Sequence, residues 1–301
     1  MRQFLVLLMI GFLAGCAYGD SESVGGRIVL WYEDNATTGA VLEDLVMRFM
    51  EINTDVQVST VAVPSEDMLR RYTSAADISL GPDIFIGDSI WIPQLVDEGL
   101  IQPIDAFQPS LERYLSVALE NIRYQGQMYG IPYSLSPVAL YYNADMVTSP
   151  AATLDELLTQ ASEGNGVAMT TQFDRSFWGM QAFGGQLFNE DGRLMLDRGG
   201  FASWLIWMNT AQNSTGMFLN NDRATLLNLF TSGRVAYYIG TPADLSALRA
   251  AMGPEANIRV ATLPSGPGGA AGPLLRLNVL LFNQATATRN TRAALALAQF
   301  L

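Results

Sequence analysis

Lysine and histidine are absent from the 301 residues, and cysteine occurs once, at Cys16. Without imidazole or ε-amine groups there is no Ser-His-Asp or Cys-His nucleophile pair, no Schiff-base lysine, no Walker A lysine and no histidine ligand for a metal. A lone cysteine excludes a disulfide within the chain. Positive charge is also scarce: the 17 basic residues, all arginine, face 29 acidic ones, for a formal charge of -12. Such an acidic chain is a poor partner for nucleic acid. Composition leaves open carboxylate chemistry of the glycosidase type or an oxygen site for a hard cation. Binding is therefore favoured over catalysis, with no enzyme activity, cofactor or metal expected.

One apolar run, from Phe4 to Leu13, follows Arg2 and leads into Leu13-Ala14-Gly15-Cys16. It is shorter than the ~20 residues that cross a bilayer. A basic start, a short apolar stretch and small residues before the cut describe a secretory signal, and the Cys after the cut makes it the bacterial lipoprotein kind. The expectation is that residues 1–15 are removed, that Cys16 is lipidated, and that residues 16–26 form a flexible linker. The rest then works outside the cytoplasm, anchored to the cell membrane on its periplasmic side or at the cell surface. At 49% hydrophobic residues and a mean hydropathy of +0.17, the chain is long enough to bury two cores.

Arg27–Tyr32 reads as a buried strand that meets water at Glu33, Asp34 and Asn35. Val41, Leu42, Leu45, Val46, Phe49 and Met50 recur at helical spacing, with the helix ending near Asn53. Val56–Val63 is a second strand, a helix follows at Met68, Leu69 and Tyr72, and Ile84–Ile86 is a third strand. Strand and helix in alternation predict a doubly wound α/β fold, whose ligands sit outside the carboxyl ends of the strands. Gly99 is placed to end the next helix, Tyr124-Gln125-Gly126 to turn a hairpin, and Thr153 to cap a helix. Asn189–Gly192 reads as a tight turn rather than a calcium loop, because later ligand positions are apolar. The glycine-rich stretch 266–273 has no lysine after it, so it is a mobile connection and not a P-loop. The apolar helix pattern from Arg292 stops abruptly at Leu301, the expectation being that the C-terminal part of a longer protein is missing.

Several stretches in order carry a family resemblance: Gly81-Pro-Asp-Ile-Phe85, Asp88, Trp91, Gly99-Leu100, Pro103-Ile-Asp105, Tyr129-Gly-Ile-Pro132, Leu140–Met146, Gly184-Gly185, Phe230–Gly240 and Val260–Pro264. With these the chain resembles bacterial extracellular solute-binding proteins of family 1, the maltose-binding-protein-like receptors of ABC importers, in lipoprotein form. The resemblance implies the type II periplasmic binding protein fold, with two α/β lobes joined by crossover strands and ligand held in the cleft between them. Carried over, the N-terminal lobe is 27–134 and 277–301, the C-terminal lobe 138–272, and the hinge crossovers 135–137 and 273–276. The implied function is to bind a mono- or oligosaccharide, close on it, and deliver it to the transmembrane subunits of a permease. The alternatives are a receptor or sensor for a non-sugar solute such as a glycerol phosphate ester or a peptide, and a surface glycosidase using two of Glu33, Asp88 and Asp174.

Sugar sites pair flat aromatic rings with carboxylates and amides that meet hydroxyls. The candidates are Glu33, Asp34 and Asn35 after the first strand, Asp88 and Trp91 after the third, Tyr133 at the first crossover, and Arg276 and Asn278 after the second. Arg175 and Trp178 are the candidates of the second lobe, where the resemblance places a stacking aromatic. Trp31 is weighed against a core position, and Trp204 and Trp207 are expected in the core. Adjacent tyrosines such as Tyr141-Tyr142 serve ferric-iron receptors, but here they lie in a hinge strand of the sugar-type motif. No second-lobe aromatic follows Gly240-Thr241-Pro242, where Ala243 stands instead, which argues against maltose itself.

Overall fold

The structure is a computed structural model describing residues 25–34, 36–76, 80–189, 191, 193–196 and 199–301. The signal segment, Cys16 and Asn35 lie outside these. In order, the elements are β1 (Gly26–Glu33), α1 (Ala36–Ile52), β2 (Val56–Val63), α2 (Met68–Ala76), β3 (Ile84–Asp88), α3 (Ile92–Asp97), α4 (Ser116–Asn121), β4 (Arg123–Tyr124), β5 (Gln127–Met128), β6 (Ile131–Leu135), β7 (Ala139–Asn143) and α5 (Leu154–Ser162). They continue with β8 (Val167–Met169), α6 (Phe173–Ser176), α7 (Gly179–Ala182), α8 (Gly200–Gln212), β9 (Met217–Leu219), α9 (Arg223–Thr231), β10 (Tyr237–Gly240), α10 (Pro242–Met252), β11 (Ile258–Ala261), β12 (Leu277–Phe282) and α11 (Thr288–Phe300). The chain divides into two units, 1–133 with 278–301, and 134–277.

Unit 1 is built on the sheet β2-β1-β3-β12-β6. β1 lies parallel to β2 and β3, while β12 runs antiparallel to β3. Along β1, Ile28, Leu30 and Tyr32 are buried, as period-two alternation requires of one sheet face. α1 packs Leu42, Val46 and Phe49 on that face, and α11 adds Ala293, Ala294, Leu297 and Ala298 to the same core. Val41, expected on the apolar stripe, is 59% exposed, because the buried face turns on positions i, i+4 and i+7 from Leu42. α3 stops as expected: Gly99 has φ +69, its N–H donates to Val96 O at 2.9 Å, and Leu100 N–H donates to Leu95 O at 2.8 Å. That pair of bonds is a Schellman motif, with glycine where φ must be positive.

Unit 2 is built on β11-β7-β10-β8-β9, with β8 parallel to β9 and β10, and β7 antiparallel to β10. Its core holds a tryptophan stack: the Trp178 and Trp204 rings lie 4.7 Å apart, and Trp204 and Trp207 stack at 4.9 Å and 10°. The glycine-rich stretch expected to be mobile is instead bonded in place. Gly268 N–H donates to Ala182 O at 2.7 Å, Gly272 N–H to Trp178 O at 2.9 Å, and Ser265 pairs with Thr153. A Cβ on Gly268 would sit 2.1 Å from the Gly184 nitrogen, so these glycines serve close backbone approach rather than motion.

Candidate functional site

In a doubly wound sheet the loops beyond the carboxyl ends of parallel strands are the one edge where several strands present side chains to a ligand together. In unit 1 that edge is formed by β1, β2 and β3. β1 delivers Glu33 and Asp34, both exposed, with Asp34 N–H donating to Val63 O at 2.8 Å. Trp31 is half-buried and alternates away from Ile28, Leu30 and Tyr32, so it lies on the opposite sheet face from the core they form.

β3 delivers Asp88, which is 8% exposed. Its Oδ1 accepts from Ile90 N–H at 3.1 Å and caps the single turn Ser89–Trp91 that leads into α3. The β12–β3 register sets Asn278 directly opposite Asp88, and opposed residues in an antiparallel pair share a face. Two candidates far apart in sequence are thus brought together. Trp91 is half-buried, its ring so close to Gly87 that a Cβ there would stand 2.9 Å from it. Tyr133, on β6, packs against the unit 1 core, and burial raises its hydroxyl pKa.

In unit 2 the corresponding edge is formed by β8, β9 and β10, and a pocket opens there. Its polar lining is Thr170, Gln172, Arg175, Asn221, Arg223 and Tyr238. Of these only Arg175 was named from sequence. Thr170, just after β8, and Asn221, just past β9, follow from applying the strand-end rule to this sheet too. Below them lies Asp244, 0% exposed. It accepts from Arg223 Nε at 2.6 Å, from Thr241 N–H at 2.8 Å and from the Thr241 hydroxyl at 3.2 Å, and bonds Tyr238. Burial and that carboxylate push the Tyr238 hydroxyl pKa well up.

Trp178 does not join this pocket. It is 1% exposed and enclosed by the unit 2 core against Trp204, so it has no free face for stacking. Tyr141 and Tyr142 are likewise buried on β7. Arg276 is exposed, and its carbonyl accepts from Ser136 N–H at 2.9 Å.

Residues 44–301 match the family profile described as bacterial extracellular solute-binding protein. The chain belongs to that family. Among similar proteins of the family, the maltotriose-binding protein of Pyrococcus abyssi is 30% identical over 140 residues, covering 46% of this chain and 30% of that protein. A putative binding protein of Brucella abortus is 25% identical over 287 residues, covering 87% of this chain and 69% of that one. The chain thus spans under a third of the first relative and about two thirds of the second. The GacH receptor of Streptomyces glaucescens, solved unliganded and with acarbose, superposes with a TM-score of 0.74 at 21% identity, covering 92% of this chain and 75% of that chain. At that identity the likeness speaks for the fold: an α/β, type II two-lobed periplasmic binding protein. The family consists of binding proteins that act outside the cytoplasm.

Proposed function

We propose that this protein is the carbohydrate receptor of an ABC importer, held outside the cytoplasm by a lipid on Cys16, and that it hands its ligand to the transmembrane subunits of a permease. The observation that carries the sugar reading is the unit 1 strand edge, where Glu33 and Asp34 end β1 and Asp88, opposite Asn278, ends β3 ahead of the half-buried Trp91. Carboxylates there accept from sugar hydroxyls, and an indole ring covers the apolar face of a pyranose. The maltotriose-binding relative supports the same class of ligand. Arg175, Arg276 and Tyr133 complete the proposed ligand contacts. Ligand binding stabilises one conformer by its differential affinity, and no bond is made or broken.

Calorimetry with a panel of mono- and oligosaccharides tests the receptor reading, and the expected result is saturable binding of at least one sugar with no products formed. Absence of binding across the panel, or turnover of a bound glycan, overturns it. Labelled palmitate should enter the wild type in cells and not Cys16→Ser; label kept by that variant removes the anchor.

A further inference from the structure

The polar wall of the unit 2 pocket is unusual in what it offers a ligand. The Asn221 carboxamide oxygen already accepts from Thr171 N–H at 3.2 Å, from the Thr171 hydroxyl at 2.6 Å and from the Thr170 hydroxyl at 3.4 Å. Its amide group is therefore left to donate. Thr170 Oγ1 in turn accepts from Gln172 N–H at 3.1 Å. Asp244, beneath the pocket, is buried with its lone pairs taken by Arg223, Thr241 and Tyr238. Arg223 uses Nε for that carboxylate, and its two terminal amines have no partner among the described residues. Arg175, half-buried in the lining, makes no side-chain hydrogen bond or ion pair among the described residues. Among the described residues the lining thus holds two guanidiniums, Arg175 and Arg223, and no carboxylate of its own, in a chain with a formal charge of -12.

The two guanidiniums and the Asn221 amide offer donors, which suit a group that only accepts. A carboxylate or phosphate only accepts, and its paired oxygens match the fork of a guanidinium.

We propose that the unit 2 pocket binds an anionic group of the ligand, a carboxylate or a phosphate, through Arg175 and the terminal amines of Arg223. This rests on the receptor reading above and narrows its ligand to an acidic sugar or a sugar phosphate.

Calorimetry on the purified protein compares digalacturonate with its methyl ester, glucose 1-phosphate with glucose, and includes maltotriose and glycerol 3-phosphate. At least one anionic probe should bind roughly ten- to a hundredfold more tightly than its neutral counterpart, the range of a charge-assisted contact, and the gap should shrink as salt rises. The pair that shows the gap tells carboxylate from phosphate. Arg175→Gln should close the gap with the melting temperature unchanged, and Arg175→Lys should restore part of it. Arg223 is not the variant of choice, because removing it strands the buried Asp244 charge.

If neutral sugars bind as tightly as acidic ones, or if Arg175→Gln leaves the gap intact, the anion site is overturned and the carbohydrate receptor stands. If glycerol 3-phosphate alone binds and loses affinity in Arg175→Gln, the anion site stands and the carbohydrate reading falls. If no probe binds, the anion site falls, and the sugar panel above decides the receptor reading.

Discussion

Asp88 has two duties that substitution separates. Its Oδ1 caps the turn leading into α3, while its place beyond β3, opposite Asn278, puts it on the proposed ligand edge. Asp88→Asn keeps an oxygen for the Ile90 N–H but replaces a charged acceptor with an amide. It should weaken sugar binding and leave the melting temperature nearly unchanged. Asp88→Ala removes the cap as well and should cost about 1 kcal/mol of stability without ligand. Trp91→Ala removes a stacking face and should weaken binding by roughly 1–3 kcal/mol, what a large apolar side chain contributes on burial. Calorimetry beside thermal melts reads both effects. If both Asp88→Asn and Trp91→Ala leave the affinity of the best sugar unchanged, the unit 1 edge is not the site.

At the scale of elements, what the sequence made legible was what local patterning encodes. Alternation marks β1, a helical stripe marks α1, Gly99 marks the end of α3, and Thr153 marks the start of α5, where its side chain accepts from Glu156 N–H at 3.1 Å. What it hid depends on contacts between distant segments. Nothing local distinguishes Trp178 as a core residue, because the ring that covers it belongs to α8. Nothing local tells that 266–272 is clamped, because its partners are Ala182, Gly184 and Trp178. The same gap hid half the candidate site: Asn221 and Arg223 become ligand-edge residues only once β9 pairs beside β8. The clamp gives its own prediction. Gly268→Ala forces a methyl against the Gly184 backbone and should destabilise by about 1–3 kcal/mol, the usual cost of overpacking. A mobile connection would tolerate that substitution, so an unchanged melting temperature would refute the clamp.

For the whole molecule, the absence of lysine gives alkaline titration an unusual clarity. Arginine stays charged throughout, so in the window above pH ~10 the tyrosines are the side chains that titrate. Of the 11 tyrosines, burial is the main cause that raises the pKa of Tyr72, Tyr129, Tyr133, Tyr141, Tyr237 and Tyr238 in the folded chain. The buried neutral forms hold their protons more tightly than the unfolded chain does. Their contribution to stability is therefore complete below the ordinary tyrosine value of about 10 and is lost as pH rises toward their folded values. These residues sit in both units, Tyr72, Tyr129 and Tyr133 in the first and the other three in the second, so both cores are drawn into the transition. Tyrosinate absorbance followed with circular dichroism should show these hydroxyls ionising above pH ~10 together with loss of tertiary signal. If these hydroxyls ionise near pH ~10 with the fold intact, their burial is wrong, and with it the packing of Tyr238 over Asp244 that frames the unit 2 pocket.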